Sequence, residues 1–168
     1  EQLERIDQCG WGGASLKLTI DPEPYINRRP RYGYYSEKNF LSFTAEKRLV
    51  LDELLKLIEQ GRKRAKNLIL FSNITYSGDK GIEGWVNVAK KCEEAGVHIT
   101  ELNMCCPNMS FNVDLTGEDK GGPKTGASLG QNEQAIAAII KAIKEETSIP
   151  LFVKITPEGG RQADIAKV

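Results

Sequence analysis

Histidine is almost missing from this chain: His98 is the only one in 168 residues. It falls before the C-terminal end of its predicted strand, so a Cys–His nucleophile pair is not supported. Net charge is missing too, with 23 Lys and Arg against 23 Asp and Glu. That balance gives no argument for a nucleic-acid or membrane partner. No apolar run approaches the ~20 residues of a membrane span, and no signal-peptide pattern is present. There is no internal repeat and no low-complexity tract. No Gly-x-Gly-x-x-Gly sits at a strand–helix turn, which argues against a dinucleotide-binding fold. Gly10-Trp11-Gly12-Gly13 precedes a strand, the wrong order for that fingerprint. The four cysteines, Cys9, Cys92, Cys105 and Cys106, fit no zinc-ligand spacing. Neighbouring cysteines rarely bridge, so the thiols read as free and the compartment as reducing and cytoplasmic. The first residue is Glu1 rather than Met, and the chain reads as a fragment.

What is present is ordinary globular material. Apolar residues make up 40% and charged residues 27%, enough for one domain with a real core. Residues 1–9 read as the end of a helix, 12–20 as a strand and 21–43 as a long loop. Thr44 is placed to cap a helix running to about Arg64, with Leu51, Leu54, Leu55 and Ile58 on one face. Residues 67–74 hold the buried-strand run Leu68-Ile69-Leu70-Phe71. The next helix carries Trp85, Val88, Ala89 and Cys92 at helical spacing and ends at Gly96. Residues 97–103 form the next strand and 104–131 a long loop. Asn132 can cap a helix with Ile136, Ile139, Ile140 and Ile143 inward. Residues 151–155 make a further strand, and 161–168 begin one more helix. This alternation predicts a parallel sheet with right-handed crossovers, either doubly wound or a (β/α)₈ barrel.

The chemistry concentrates in Asn103-Met104-Cys105-Cys106-Pro107-Asn108, at a strand's C-terminal end. Proline fixes a turn there. Cys106 is a candidate general acid, base or nucleophile, and without a nearby histidine proton transfer is favoured over acyl transfer. Cys105 is expected to face elsewhere, and Cys9 and Cys92 are read as structural. Lys17 and Lys154 interrupt apolar strands, and buried lysines need partners. They point to an anionic or electron-rich ligand at the strand ends, such as a reduced flavin or a phosphate. Asn73 and Asn103 sit at strand ends where amides can meet a polar ring. The segment around Gly121-Gly122-Pro123-Lys124-Thr125-Gly126 reads as a lid beside Cys106.

Taken together, these residues resemble the FMN-dependent dihydroorotate dehydrogenase and dihydropyrimidine dehydrogenase superfamily. Glu101-Leu102-Asn103-Met104-Cys105-Cys106-Pro107-Asn108 is similar to its Glu-Leu-Asn-Leu-Ser-Cys-Pro-Asn/His motif. Gly10-Trp11-Gly12-Gly13-Ala14-Ser15-Leu16-Lys17 resembles the Gly-Trp-Gly-Phe-Ala-Leu-Thr-Lys segment of dihydropyrimidine dehydrogenases. Gly130-Gln131 and Val153-Lys154-Ile155-Thr156-Pro157 match in order and spacing. The resemblance implies an α/β fold, a partial TIM (β/α)₈ barrel from about the first helix to the start of the fifth. Residues 1–168 would be one incomplete FMN-binding domain, with no second domain. The first strand and the last three would be missing, and the later segments normally supply FMN phosphate contacts. Such a barrel takes about 200 residues or more, so this length alone implies open edges and poor solubility.

By the same resemblance, Cys106 exchanges a proton with C5 of a pyrimidine while the flavin N5 exchanges a hydride with C6. Lys17, Asn73, Asn103 and Lys154 would contact FMN. Asn103, Asn108 and Ser42 would contact the pyrimidine. No metal is expected. Iron–sulfur and NAD(P)/FAD centres would lie on partner domains or chains, in particular an electron-transfer subunit. The full-length protein is expected to be an oligomer that binds neither nucleic acid nor membrane. Four departures stand out. Met104-Cys105 replaces Leu-Ser, and Leu16 and Leu18 stand where Thr is common. Ser42 replaces a substrate-binding Asn, which bears on the substrate, and the lid is longer and more basic. Two other readings remain: a tRNA-dihydrouridine-synthase-like flavoenzyme and a non-catalytic barrel fragment. The Gly-Trp-Gly…Lys segment and the neutral charge argue against the first.

Overall fold

A computed structural model describes residues 1–24, 32–43, 48–106, 126–156 and 162–167. Helix α1 (Gln2–Gln8) leads into strands β1 (Gly13–Ser15) and β2 (Thr19–Asp21). A hairpin of β3 (Tyr32–Tyr35) and β4 (Phe40–Phe43) follows, then α2 (Leu51–Arg64), β5 (Ile69–Tyr76), α3 (Gly81–Glu94) and β6 (Ile99–Met104). The remaining elements are α4 (Gly126–Leu129), α5 (Glu133–Glu146), β7 (Leu151–Ile155) and α6 (Gln162–Ile165). Among the described residues no helix is long and apolar enough to cross a membrane.

The main sheet is parallel. β1 and β2 both pair with β5, β5 pairs with β6, and β6 with β7. Each later strand adds on the same side as the one before, without a reversal of order. A doubly wound sheet must reverse, whereas a barrel must not. The sheet is thus a curled part of a (β/α)₈ barrel, and its helices flank one face. Apolar residues at helical spacing close that face: Leu54 and Ile58 of α2, Val88 and Cys92 of α3, and Ile136, Ile139 and Ile143 of α5. They pack with Leu70, Ile74, Leu102 and Met104 from the strands. Close approach of α3 depends on Gly84, where a Cβ would lie 2.1 Å from the Tyr76 ring. Asn132 caps α5, its Oδ1 accepting the Ala135 N–H at 3.0 Å.

The structure departs from the sequence reading at four places. Residues 12–20 are two strands, not one. Ser15 pairs with Phe71 and Thr19 with Ile74, so the three residues 16–18 oppose only Ser72 and Asn73. That mismatch is a β-bulge, which a run of residues with strand propensity does not reveal. Residues 21–43 are not all loop, because β3 and β4 form an antiparallel ribbon turned by Asn39 at φ 46°. The ribbon leaves Tyr34, Tyr35, Phe40 and Leu41 exposed, so it carries no inside–outside alternation to read. Helix α2 starts at Leu51, seven residues after the expected Thr44, which lies outside the described residues. Leu49 is extended and bridges Thr19, and Glu53 accepts the Val50 N–H at 3.3 Å to open the helix. Finally, the 104–131 loop loses both ends, to β6 and to α4.

Candidate active site

Residues paired across parallel strands point to the same face, and each strand alternates faces. Ser72 and Ile74 on β5 and Thr100, Leu102 and Met104 on β6 turn toward the helices. The other parity lines the inner face: Phe71, Asn73 and Thr75, then Ile99, Glu101 and Asn103, then Phe152 and Lys154. Register sets Asn73 beside Glu101, and Asn103 beside Lys154. On the same face Phe71, two residues before Asn73, and Phe152, the register partner of Glu101, meet at 5.7 Å between ring centres. The polar layer of Asn73, Glu101 and Asn103, with Lys154 in register with Asn103, lies toward the strands' carboxyl ends.

The polar layer is one connected chain. The Ser15 hydroxyl donates to Glu101 Oε1 at 3.5 Å, and Asn73 Nδ2 donates to the same oxygen at 2.5 Å. Asn103 Nδ2 donates to Asn73 Oδ1 at 3.1 Å. Asn103 Oδ1 in turn accepts the backbone N–H of Cys105 at 3.4 Å and of Cys106 at 3.2 Å. An asparagine whose side chain accepts from the residues two and three further on builds its own turn, and here it holds both cysteines at the end of β6. The Thr75 hydroxyl ties the Asn103 carbonyl at 3.1 Å. Asn73 and Asn103 are buried, at 7% and 5% exposure, so water does not substitute for these bonds.

Cys105 and Cys106 are both half-buried free thiols. Burial pushes the Cys105 thiol up, and the nearby Lys154 ammonium acts the other way. Gly130 presses against the same turn: a Cβ there would lie 2.0 Å from the Met104 carbonyl oxygen. Lys17 is exposed and sits in the bulge level with Asn73; it also borders a cavity of about 320 Å³ between α1, β1 and α2. Asn73 lies three residues inside β5, because that strand runs on to Tyr76. Ser42 pairs through its backbone with Gly33 in the hairpin sheet. The Ser42 side chain, Asn108 and the 121–125 part of the expected lid lie outside the described residues. Thus Asn73, Asn103, Lys154 and the cysteine turn come together.

His98 is far from this group, at the opposite end of β6 and roughly 16 Å from Asn103 at the strand rise of ~3.3 Å per residue. Its Nδ1 accepts the Leu70 N–H at 2.9 Å, and its Nε2 faces the Arg62 guanidinium. Burial and then Arg62 hold its pKa below the usual histidine value. Cys92 is structural: it is buried behind the sheet, and burial pushes its thiol up to about 12. The residue that the sequence reading passed over is Glu101. It was visible as part of the motif but given no role. The available signal was a charge inside an apolar strand, two residues from Asn103 and so on the same face.

A polar group at the carboxyl ends of barrel strands is where (β/α)₈ enzymes keep their chemistry. A family model described as dihydroorotate dehydrogenase matches residues 10–168, and the chain belongs to that family. It is 36% identical over 162 residues to the catalytic subunit of dihydroorotate dehydrogenase B (NAD(+)) of Bacillus cytotoxicus, covering 93% of this chain and 45% of the relative. The Bacillus thuringiensis catalytic subunit is 35% identical over 173 residues, covering 99% and 48%. The NAD-dependent dihydropyrimidine dehydrogenase subunit PreA of Escherichia coli is 23% identical over 171 residues, covering 99% and 38%. The chain therefore spans less than half the length of these relatives, between 38% and 48%.

Proposed function

We propose that this chain is part of a flavin-dependent oxidoreductase that interconverts a pyrimidine and its 5,6-dihydro form, dihydroorotate or a dihydropyrimidine. Residues 1–168 then form one incomplete FMN-binding barrel domain. The observation that carries this reading is the Asn103 turn: Asn103 accepts the Cys106 N–H at the end of β6, donates to Asn73 and pairs in register with Lys154. The donor set suits an electron-rich polar ring. An amide nitrogen carries two hydrogens, and the bonds above use only one on Asn73 and one on Asn103. Lys154 adds a positive charge at the same level.

When bound, FMN supplies the centre that exchanges hydride, and the protein supplies position, charge and a proton. Asn73, Asn103, Lys17 and Lys154 hold the ring system. Asn103, Asn108 and Ser42 orient the pyrimidine. In the dehydrogenating direction the Cys106 sulfur takes the proton from C5 as the C5–C6 bond becomes double; in the reducing direction it returns that proton. Asn103 keeps the thiol in place throughout. The relatives are named as subunits of NAD-dependent enzymes, which supports an electron-transfer partner carrying the iron–sulfur and NAD(P)/FAD centres.

The test is a visible absorption spectrum of the full-length protein, taken anaerobically before and after adding dihydrouracil or dihydroorotate. A flavin spectrum bleached by one of them supports the reading and names the substrate class. A protein that folds but holds no flavin, or a flavin bleached by neither, refutes it.

A further inference from the structure

We propose that Glu101 is a positioning residue that, from the far end of the chain, holds Asn73 and through it Asn103 in the amide orientation the Cys106 turn requires. The consequence for catalysis rests on the reading of Cys106 as the proton carrier. An asparagine amide is nearly symmetric in shape and can sit either way round, so something must choose. At one end of the chain the choice is made by backbone. The N–H groups of Cys105 and Cys106 are donors only, so Asn103 must turn Oδ1 to them and Nδ2 to Asn73. Asn73 must then offer Oδ1 to Asn103 and send Nδ2 the other way. Glu101 is the acceptor that receives it, held from the far side by the Ser15 hydroxyl. A bond to an ionised carboxylate is roughly twice as strong as a neutral one. Without that carboxylate, Asn73 can turn over and meet Asn103 donor to donor. Asn103 then relieves the clash by turning too, and its oxygen leaves the cysteine turn.

Two variants of the full-length protein separate this role from plain structural damage. Glu101→Gln keeps an acceptor oxygen in the same place, whereas Glu101→Ala removes it. Each is assayed per bound flavin with ordinary substrate and with substrate carrying deuterium at C5. A misplaced proton carrier costs about 10- to 100-fold, so Glu101→Ala should lose that much kcat. Its C5 isotope effect should rise, because proton transfer becomes the slow step. Glu101→Gln should keep most of the kcat and the isotope effect of the parent. A general folding defect lowers the active fraction but leaves the isotope effect unchanged. An unchanged isotope effect in Glu101→Ala, or equal damage in both variants, overturns the proposal. The amide orientation is read separately from the side-chain NH₂ resonances of Asn73 and Asn103 in ¹⁵N-asparagine-labelled protein. Both should move in Glu101→Ala and hold in Glu101→Gln, and an unmoved Asn103 signal overturns the relay. That readout stands even if neither pyrimidine is turned over, so failure of the functional reading is distinguishable from failure of this one.

Discussion

Replacing Asn103 with leucine removes every polar contact of that side chain while keeping its approximate shape. Four partners lose their bond to it: the N–H groups of Cys105 and Cys106, the Cys105 thiol, which donates to Oδ1 at 3.6 Å and is the weakest of the four, and Asn73 Oδ1. The cysteines are half-buried, so their N–H groups regain part of the loss from water, while Asn73 at 7% exposure does not. A stranded buried polar group costs about 1–3 kcal/mol, so Asn73 contributes about 2 and the two N–H groups about 1 together. The added apolar burial returns about 1 kcal/mol, leaving a net loss of about 2 kcal/mol. Urea unfolding of the full-length protein measures it, with an unchanged m value confirming the same transition. Asn103→Asp is the control. It retains the acceptor for the cysteine turn but sets a carboxylate oxygen against Asn73 Oδ1, so it should lose stability while keeping the turn. A leucine variant within about 0.5 kcal/mol of the parent, the range of a neutral surface change, would refute the claim that Asn103 holds the turn.

Cys106→Ala in the full-length protein should keep flavin yet lose roughly 10²–10⁴-fold in turnover, as expected for a missing positioned proton carrier; steady-state rates per flavin check it. Cys105→Ala should leave those rates nearly unchanged. Gly130→Ala forces a methyl group against the Met104 carbonyl and should destabilise by about 1–3 kcal/mol, read from the same urea transition. His98 has its folded pKa below its unfolded value of about 6.5, so the unfolded chain binds the proton more readily. Its contribution to stability is therefore complete above that unfolded value and is lost as pH falls toward the folded one. His98→Gln should flatten the fall in melting temperature over that window, and an unflattened profile would count against the assignment.

The sequence disclosed the regular parts of this fold because they obey one rule each. Ile136, Ile139 and Ile143 repeat at helical spacing, and in the run Leu68 to Phe71 the residues Leu68 and Leu70 are buried toward the helices while Phe71 meets Phe152 on the inner face. The features that stayed hidden break a pattern rather than follow one. The bulge at residues 16–18 is a register relation between β1, β2 and β5, and register is a property of two segments, not one. In the hairpin the successive residues Tyr34 and Tyr35, and Phe40 and Leu41, are all exposed, so burial leaves no alternation there to read. Of the polar cluster, Asn103, Asn73 and Lys154 were legible because polar residues interrupt apolar runs, and the Cys106 turn because Asn103 and Pro107 bracket it at a strand's end. Glu101 interrupts the apolar run of β6 in the same way, but its role depends on partners that the run does not contain. Its partners Ser15 and Asn73 come from two other strands and adjoin it only after folding.

The same alternation that makes the core also makes the site, and neither can change alone. In β6 the outward residues Thr100, Leu102 and Met104 are all buried at 1% exposure or less, while Glu101 and Asn103 carry the hydrogen-bonded chain. A slip of one residue between β5 and β6 reverses every side chain of β6. It would drive Glu101 and Asn103 among Val88, Ile136 and Ile139 and turn Leu102 and Met104 into the polar layer. An unpaired carboxylate in an apolar core costs several kcal/mol, and two lost core side chains add about 2–5 each. Those penalties rival the stability of a whole domain, about 5–15 kcal/mol. Register is thus enforced chiefly by the helices on the outer face. The inner face inherits a placement of Asn73, Glu101, Asn103 and Lys154 that their own modest hydrogen bonds could not enforce. It follows that substitutions inside this polar chain can alter orientation and turnover while the strands stay where the core has set them.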